Sequence, residues 1–293
     1  MADHALSRLI RPRRWVGAAL SVGLALTLAV VEPALAGPSV AATCARPVYL
    51  TIDTGHMGVA PLIAEVLARQ QVKATFFLAN ERTQAVGERP AGSTLDEHWA
   101  TWWQGLAAQG HDFGSHTWDH LSWVADTATG FRFKATAGPQ AGQILSLTPQ
   151  QYCAELARPA QRFQAMSGQA MRAIFRAPGG KTSAALLRAA QACGWSHVPW
   201  TPAGFLGDEL PSDRYPNQAL LDKALRDVRP GDILLMHLGI WSRREAWAPA
   251  VLEPLIAGLK AKGLCFATLR DHPDYARVGV APPGPVPGSV PQP

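Results

Sequence analysis

The sequence predicts an α/β fold, a single domain built as a distorted (β/α) barrel of about seven parallel strands. Three observations carry this. Short β-rich runs alternate with helix-periodic stretches through short connections, the pattern of a parallel sheet covered by helices. About seven such units in one domain favour closure over an open sheet. The ionisable residues Asp53, His116, Arg176 and His237 all fall at or just after the C-terminal ends of predicted strands, and in an α/β barrel those ends converge on one mouth. A hydrophobic content of 47% over 293 residues is ample for such a core.

The chain opens with Arg8, Arg11, Arg13 and Arg14, then an apolar run from Val16 to Val31 and the small-residue site Ala34-Leu35-Ala36. This is the pattern of a cleaved export signal over residues 1–36, with an apolar run shorter than a comfortable membrane span. The expected location is the periplasm or the medium, with no membrane insertion after cleavage. Residues 37–46 lead into a folded domain over 47–275, and a Pro/Gly-rich segment, 276–293, is expected to be a disordered tail. Without the signal the charge is mildly positive with no basic run, which excludes nucleic acid as an expected partner. A monomer is expected.

Within the domain, Val48–Ile52 (VYLTI) reads as the first strand, Pro61–Gln70 as a helix and Lys73–Leu78 (KATFFL) as the second strand. Residues 80–93 read as a loop, Leu95–Gln109 as a helix and His111–Ser115 as a strand. Phe131–Ala137 and Gln143–Leu147, joined by GPQAG, suggest a surface hairpin. Thr148–Ser167 is a long helix that Thr148 can cap. Ala173–Phe175, His197–Trp200 and Asp232–Met236 read as strands, and Ser183–Cys193, Asn217–Asp227 and Trp247–Lys262 as helices; Cys265–Leu269 closes the sheet. Four cysteines in an exported chain point to disulfides. Cys44 precedes the first strand and Cys265 begins the last, neighbours in a closed sheet, while Cys153 and Cys193 sit on successive helices. The expected pairs are therefore Cys44–Cys265 and Cys153–Cys193.

The stretch Gly110–His120 (GHDFGSHTWDH) sets His116 and His120 four residues apart. If a helical turn follows the strand, both imidazoles share a face and suit a divalent metal such as zinc, with a third ligand supplied from elsewhere.

Taken together, these residues resemble the polysaccharide deacetylases, the NodB-homology group of carbohydrate esterase family 4, from about Pro47 to Asp271. Thr51-Ile52-Asp53-Thr54-Gly55 resembles the family's T-F-D-D-G block, and Lys73-Ala74-Thr75-Phe76-Phe77 the strand after it. His116-Thr117-Trp118-Asp119-His120 matches H-[ST]-x-x-H, Arg176-Ala177-Pro178-Gly179-Gly180 matches R-x-P-[aromatic]-G, and Arg229–His237 ends in L-x-H. The resemblance implies that Asp53 is the general base, His116 and His120 hold one divalent metal, most simply zinc, and His237 protonates the leaving amine. It further implies that Leu235 lines the acetyl pocket, Arg176 positions Asp53, and a backbone N–H near Gly179 stabilises the oxyanion.

Two departures stand out. The family's second Asp, a metal ligand, is Thr54 here, and the next position after Gly55 is His56. A neutral hydroxyl is a poorer ligand than a carboxylate, so the third ligand is left to Thr54, to His56, or to Asp53 turning to the metal. Gly179 replaces an aromatic side chain, widening the groove. The family's Asp-Trp block is blurred. Trp200 followed by Asp208 is its best match, with Asp208 pairing with Arg176, and both are expected near the substrate. Trp99, Trp102 and Trp103 read as helix packing, whereas Trp118, Trp123, Trp200 and Trp241 follow rim strands, where aromatic faces stack on sugar rings. The expected function is removal of N-acetyl, or alternatively O-acetyl, groups from a glycan. The rival is a glycan-binding pseudoenzyme that has lost useful metal binding with the second Asp.

Overall fold

The computed structural model describes residues 44–282, so the expected export signal lies outside the described residues. The first strand, β1 (Pro47–Asp53), is followed by α1 (Ala60–Arg69), β2 (Thr75–Leu78), α2 (Ala100–Ala108) and β3 (Asp112–Ser115). An excursion of β4 (Leu121–Asp126), β5 (Phe131–Ala135) and β6 (Ile144–Leu147) precedes α3 (Pro149–Ser167). The chain then returns through β7 (Ile174–Phe175), α4 (Ala184–Ala192), β8 (Ser196–His197), α5 (Asn217–Asp227), β9 (Ile233–His237), α6 (Leu252–Ala261) and β10 (Cys265–Ala267).

One parallel sheet runs β10-β1-β2-β3-β7-β8, with β9 also on β1. The segment after β8 reaches β9 through a parallel bridge between Phe205 and Leu235, so the sheet curls into the expected distorted barrel. Two-residue periodicity then decides what faces inward. In β1, Val48, Leu50 and Ile52 pack under the helices, while Tyr49 faces the interior with Phe77, Ile174, Val198 and Ile233. The registers Asp53↔His237, Asp53↔Phe77 and Phe77↔Gly114 carry the same inward phase from strand to strand, and the outward pair Ser115↔Phe175 sets Gly114 and His116 beside Ile174 and Arg176. Followed to the C-terminal ends of the strands, that phase delivers Asp53, His116, Arg176 and His237. Gly114 belongs to this inner column because a Cβ there would stand 2.8 Å from Ile174 and Phe77.

The local signals explain most of the helices. Thr148 caps α3 in a reciprocal capping box: its Oγ1 accepts from Gln151 N at 3.2 Å and its N donates to Gln151 Oε1 at 2.8 Å. Gly168 ends that helix in the left-handed region (φ 71°). Strand β8 covers Ser196–His197 rather than His197–Trp200 and α2 starts at Ala100 rather than Leu95; three further features depart from expectation. The hairpin is a three-stranded antiparallel sheet, because β4 carries an irregularity between Trp123 and Ala125 that breaks the two-residue alternation. Helix α6 begins at Leu252 rather than Trp247, since Pro249 disfavours helical backbone at Ala248. Residues 276–282 are tied down rather than tail-like: Ala173 N donates to Gly279 O and Ala281 N to Met171 O, at 2.9 and 2.8 Å. Two disulfides join Cys44 to Cys265 and Cys153 to Cys193. Closing such long loops stabilises a fold by about 2–4 kcal/mol each in the chain-entropy account. Among the described residues, no helix is long and apolar enough to cross a membrane.

Candidate active site

Asp53, the last residue of β1, is buried, and its carboxylate is divided between two neighbours. Oδ1 accepts from Arg176 Nη1 at 2.9 Å, and Oδ2 lies 3.4 Å from His116 Nε2. Burial, the largest single influence, would raise the Asp53 pKa, but the charge and hydrogen bond of Arg176 together with His116 and His237 outweigh it and hold the carboxyl below its ordinary value. The Arg176 guanidinium is itself fully buried over the Phe77 ring, 4.5 Å from its centroid, with Nε donating to Val198 O. The result is an anion fixed in place at the barrel mouth.

His116 follows β3 and is also buried. Its Nδ1 pairs with Arg176 O at 2.9 Å, so Nδ1 carries the proton and the Nε2 lone pair faces the cavity. Burial pushes its pKa down to about 4 against the pull of Asp53, leaving a neutral imidazole. The 116–120 segment is not the helical turn expected: Thr117 (φ 60°) and His120 (φ 48°) are left-handed. Leu121 N donates to Thr117 Oγ1 at 2.8 Å and holds the bend, and the two rings still meet edge to face with centroids 4.8 Å apart. The His120 Nδ1 side is held by Thr136 Oγ1. Anchoring one ring nitrogen and freeing the other is how metal-ligating histidines are oriented. The pair therefore fits a divalent metal, although no three His, Cys, Asp or Glu side chains converge as a closed cluster among the described residues.

The positions weighed as third ligand separate. Thr54 lines the same cavity as Asp53, His116 and His120, but its Oγ1 already accepts from Ala79 N at 3.0 Å. His56 lines a neighbouring cavity instead; its Nδ1 accepts from Gly58 N at 2.9 Å and its ring meets the exposed Trp241 edge to face.

Across the mouth, His237 ends β9. Asp208 Oδ2 accepts from the His237 backbone N at 2.7 Å, and Oδ1 lies 3.1 Å from Nδ1. Asp208 thus serves His237 and not Arg176, the partner expected from the sequence. Burial would lower the His237 pKa, but Asp208, with Asp53 and Glu209 behind it, raises it to about 9. A cavity of about 200 Å³ joins Asp53, Thr54, His116, His120 and His237 with Leu235, Gly179 and Trp200. Glu81 and Glu209 line it too. Glu81 was missed by sequence reasoning because its place in the loop carries no motif.

Residues 41–198, more than half of the chain, match the family described as polysaccharide deacetylase. The chain belongs to that family. A chitooligosaccharide deacetylase of Azorhizobium caulinodans is 25% identical over 234 residues, covering 76% of this chain and 92% of that one. Two solved structures share the fold. A family 4 acetyl xylan esterase from Clostridium thermocellum in complex with a cobalt ion has a TM-score of 0.57 at 21% identity, over 76% of this chain and 88% of that one. A pseudoenzyme of the same esterase family from Bacillus anthracis has a TM-score of 0.55 at 20% identity, over 78% and 65%.

In this chain the Arg-Ala-Pro-Gly-Gly turn shapes one cavity wall. Gly179 (φ 65°) leaves open space where a side chain would stand, the nearest atom to a Cβ being Ser122 Oγ at 3.9 Å. Gly180 (φ 66°) supports Trp200, whose ring would lie 2.6 Å from an added Cβ. Gly180→Ala is expected to destabilise the protein by about 1–3 kcal/mol, as left-handed backbone and the clash combine. Urea unfolding checks this, and an unchanged midpoint would mean that Trp200 moves freely.

Proposed function

We propose that the protein is an exported, metal-dependent deacetylase that removes N-acetyl groups from a glycan, with His116 and His120 holding one divalent ion, most simply zinc. The observation that carries this reading is the opposition of charge across one cavity: a buried carboxylate kept anionic by Arg176 faces a histidine kept cationic by Asp208. Binding a sugar requires neither. Hydrolysing an amide requires both, a base for the attacking water and an acid for the departing nitrogen.

Asp53 Oδ2 takes the proton from water as its oxygen attacks the acetyl carbon. Arg176 holds the carboxylate in position through Oδ1. A backbone N–H at Gly179 donates to the developing oxyanion. His237 gives its proton to the nitrogen as the C–N bond breaks, leaving acetate and a free amine. Leu235 lies against the acetyl methyl, and Trp200 offers an aromatic face to the sugar ring. A divalent ion held by His116 and His120 would supply Lewis acidity to the acetyl carbonyl and to the attacking water. Two disulfides and the apolar N-terminal run support export. The deacetylase relative supports an amino-sugar oligomer as first substrate; an O-acetyl ester is a second target for the same groups.

The test is acetate and free-amine release from acetylated chitooligosaccharides. Turnover is expected to fall by at least about 100-fold on chelation and in His116→Ala, as for loss of metal assistance. Glycan binding without turnover in zinc-supplied protein would replace this reading with the pseudoenzyme.

A further inference from the structure

We propose that Glu81 is the third metal ligand of this chain, supplying from the loop after β2 the carboxylate that the Thr54 position lacks. The inference rests on the metal-dependent reading of the site and names a residue that no motif assigns.

The requirement comes first. Two neutral imidazoles and a hydroxyl bring no negative charge to a divalent ion, and a carboxylate as third ligand would supply both the missing donor and the compensating charge. Asp53 is committed to Arg176 and to its own task. His56 looks into the adjoining cavity, and the Thr54 hydroxyl is engaged by Ala79 N. Glu81 lines the same cavity as His116 and His120. Its Oε2 is buried and has no hydrogen-bond partner. A buried carboxylate oxygen without a donor is costly unless a cation or proton meets it.

The backbone around Glu81 is built to keep it there. Its N donates to Thr94 Oγ1 at 3.2 Å and its O accepts from Thr94 N at 2.9 Å. The residue before it is laced to the histidine turn: Asn80 N donates to Trp118 O at 2.8 Å, just as His116 N donates to Leu78 O. The Glu81 loop and the His116–His120 turn are thereby hydrogen-bonded to one another. Among the described residues Glu81, His116 and His120 do not yet converge as a closed cluster, so ligation calls for the Glu81 side chain to turn toward the histidines within their shared cavity.

The experiment measures zinc affinity by calorimetry, and the visible spectrum of the cobalt-loaded protein, for the wild type, Glu81→Gln, Thr54→Asp and the double variant Thr54→Asp/Glu81→Gln. Glu81→Gln is expected to weaken zinc binding on the order of 100-fold or more, beyond what loss of an outer-shell partner costs. It should change the cobalt spectrum without lowering the metal-free melting temperature. The double variant is expected to regain affinity, because the carboxylate returns from the Thr54 position. Wild-type affinity and spectrum in Glu81→Gln would overturn this assignment and leave the metal-dependent reading standing. A wild type that binds no zinc would overturn both.

Discussion

Asp53→Asn is expected to lower kcat on the order of 10²–10⁴-fold, the usual effect of removing a general base, while zinc binding persists. Asn matches Asp in size and keeps an oxygen for Arg176 Nη1, now 2.9 Å from Oδ1, so the geometry survives and only the basicity goes. The same change has a stability signature. Arg176 is fully buried beside Asp53, and removing one charge of a buried pair typically costs about 3–5 kcal/mol, with the retained hydrogen bond placing this case near the lower end. The pH dependence follows from sign. The folded-state pKa of Asp53 lies below its ordinary value, so the stability it contributes is fully present above the ordinary carboxylate range and is lost as pH falls through the lowered value. Urea unfolding of both proteins should show a gap at neutral pH that narrows in acid. Wild-type kcat in Asp53→Asn would remove Asp53 from the mechanism.

What the sequence made legible was what two-residue periodicity controls. Once the strands are placed, inward phase and strand ends bring Asp53, His116, Arg176 and His237 to one mouth, and the same logic accounts for Leu235. Motif positions locate residues along the chain but not the partners they choose. Asp208 pairs with His237, 29 residues away, and nothing in their spacing separates that partner from Arg176. The fourfold step from His116 to His120 suggested a helix, yet two left-handed residues bring the rings together by another route. Thr117 is β-branched and does not announce positive φ, so the bend at His120 went unsignalled. Glu81 was illegible for a related reason: its relation to the histidines runs through hydrogen bonds between two loops, from Asn80 to Trp118, and no local pattern encodes it. The strand β4 escaped because an irregularity hides its alternation.

Asp208→Asn is expected to move the alkaline limb of the kcat/KM profile down from about 9 toward or below the ordinary histidine value. Asp208 acts on the reaction through His237, both by accepting from its backbone N and by lying against Nδ1. Asn still offers an oxygen to the backbone donor, which keeps the end of β9 in place, but it withdraws the negative charge that sustains the imidazolium. At pH 8 a histidine with a pKa of about 9 is mostly protonated, whereas one at 6.5 is charged only about 3% of the time, so activity there should fall by about 30-fold. At pH 6 the two proteins should differ far less, and this contrast separates loss of an acid from general damage to the fold. Stability carries the matching sign. Because the His237 pKa is raised on folding, its contribution is fully present below pH 6.5 and is lost as pH rises through about 9. The variant should therefore lose stability at neutral pH and lie closer to the wild type in alkali. An unmoved alkaline limb in Asp208→Asn would mean that His237 is not the group that protonates the leaving nitrogen.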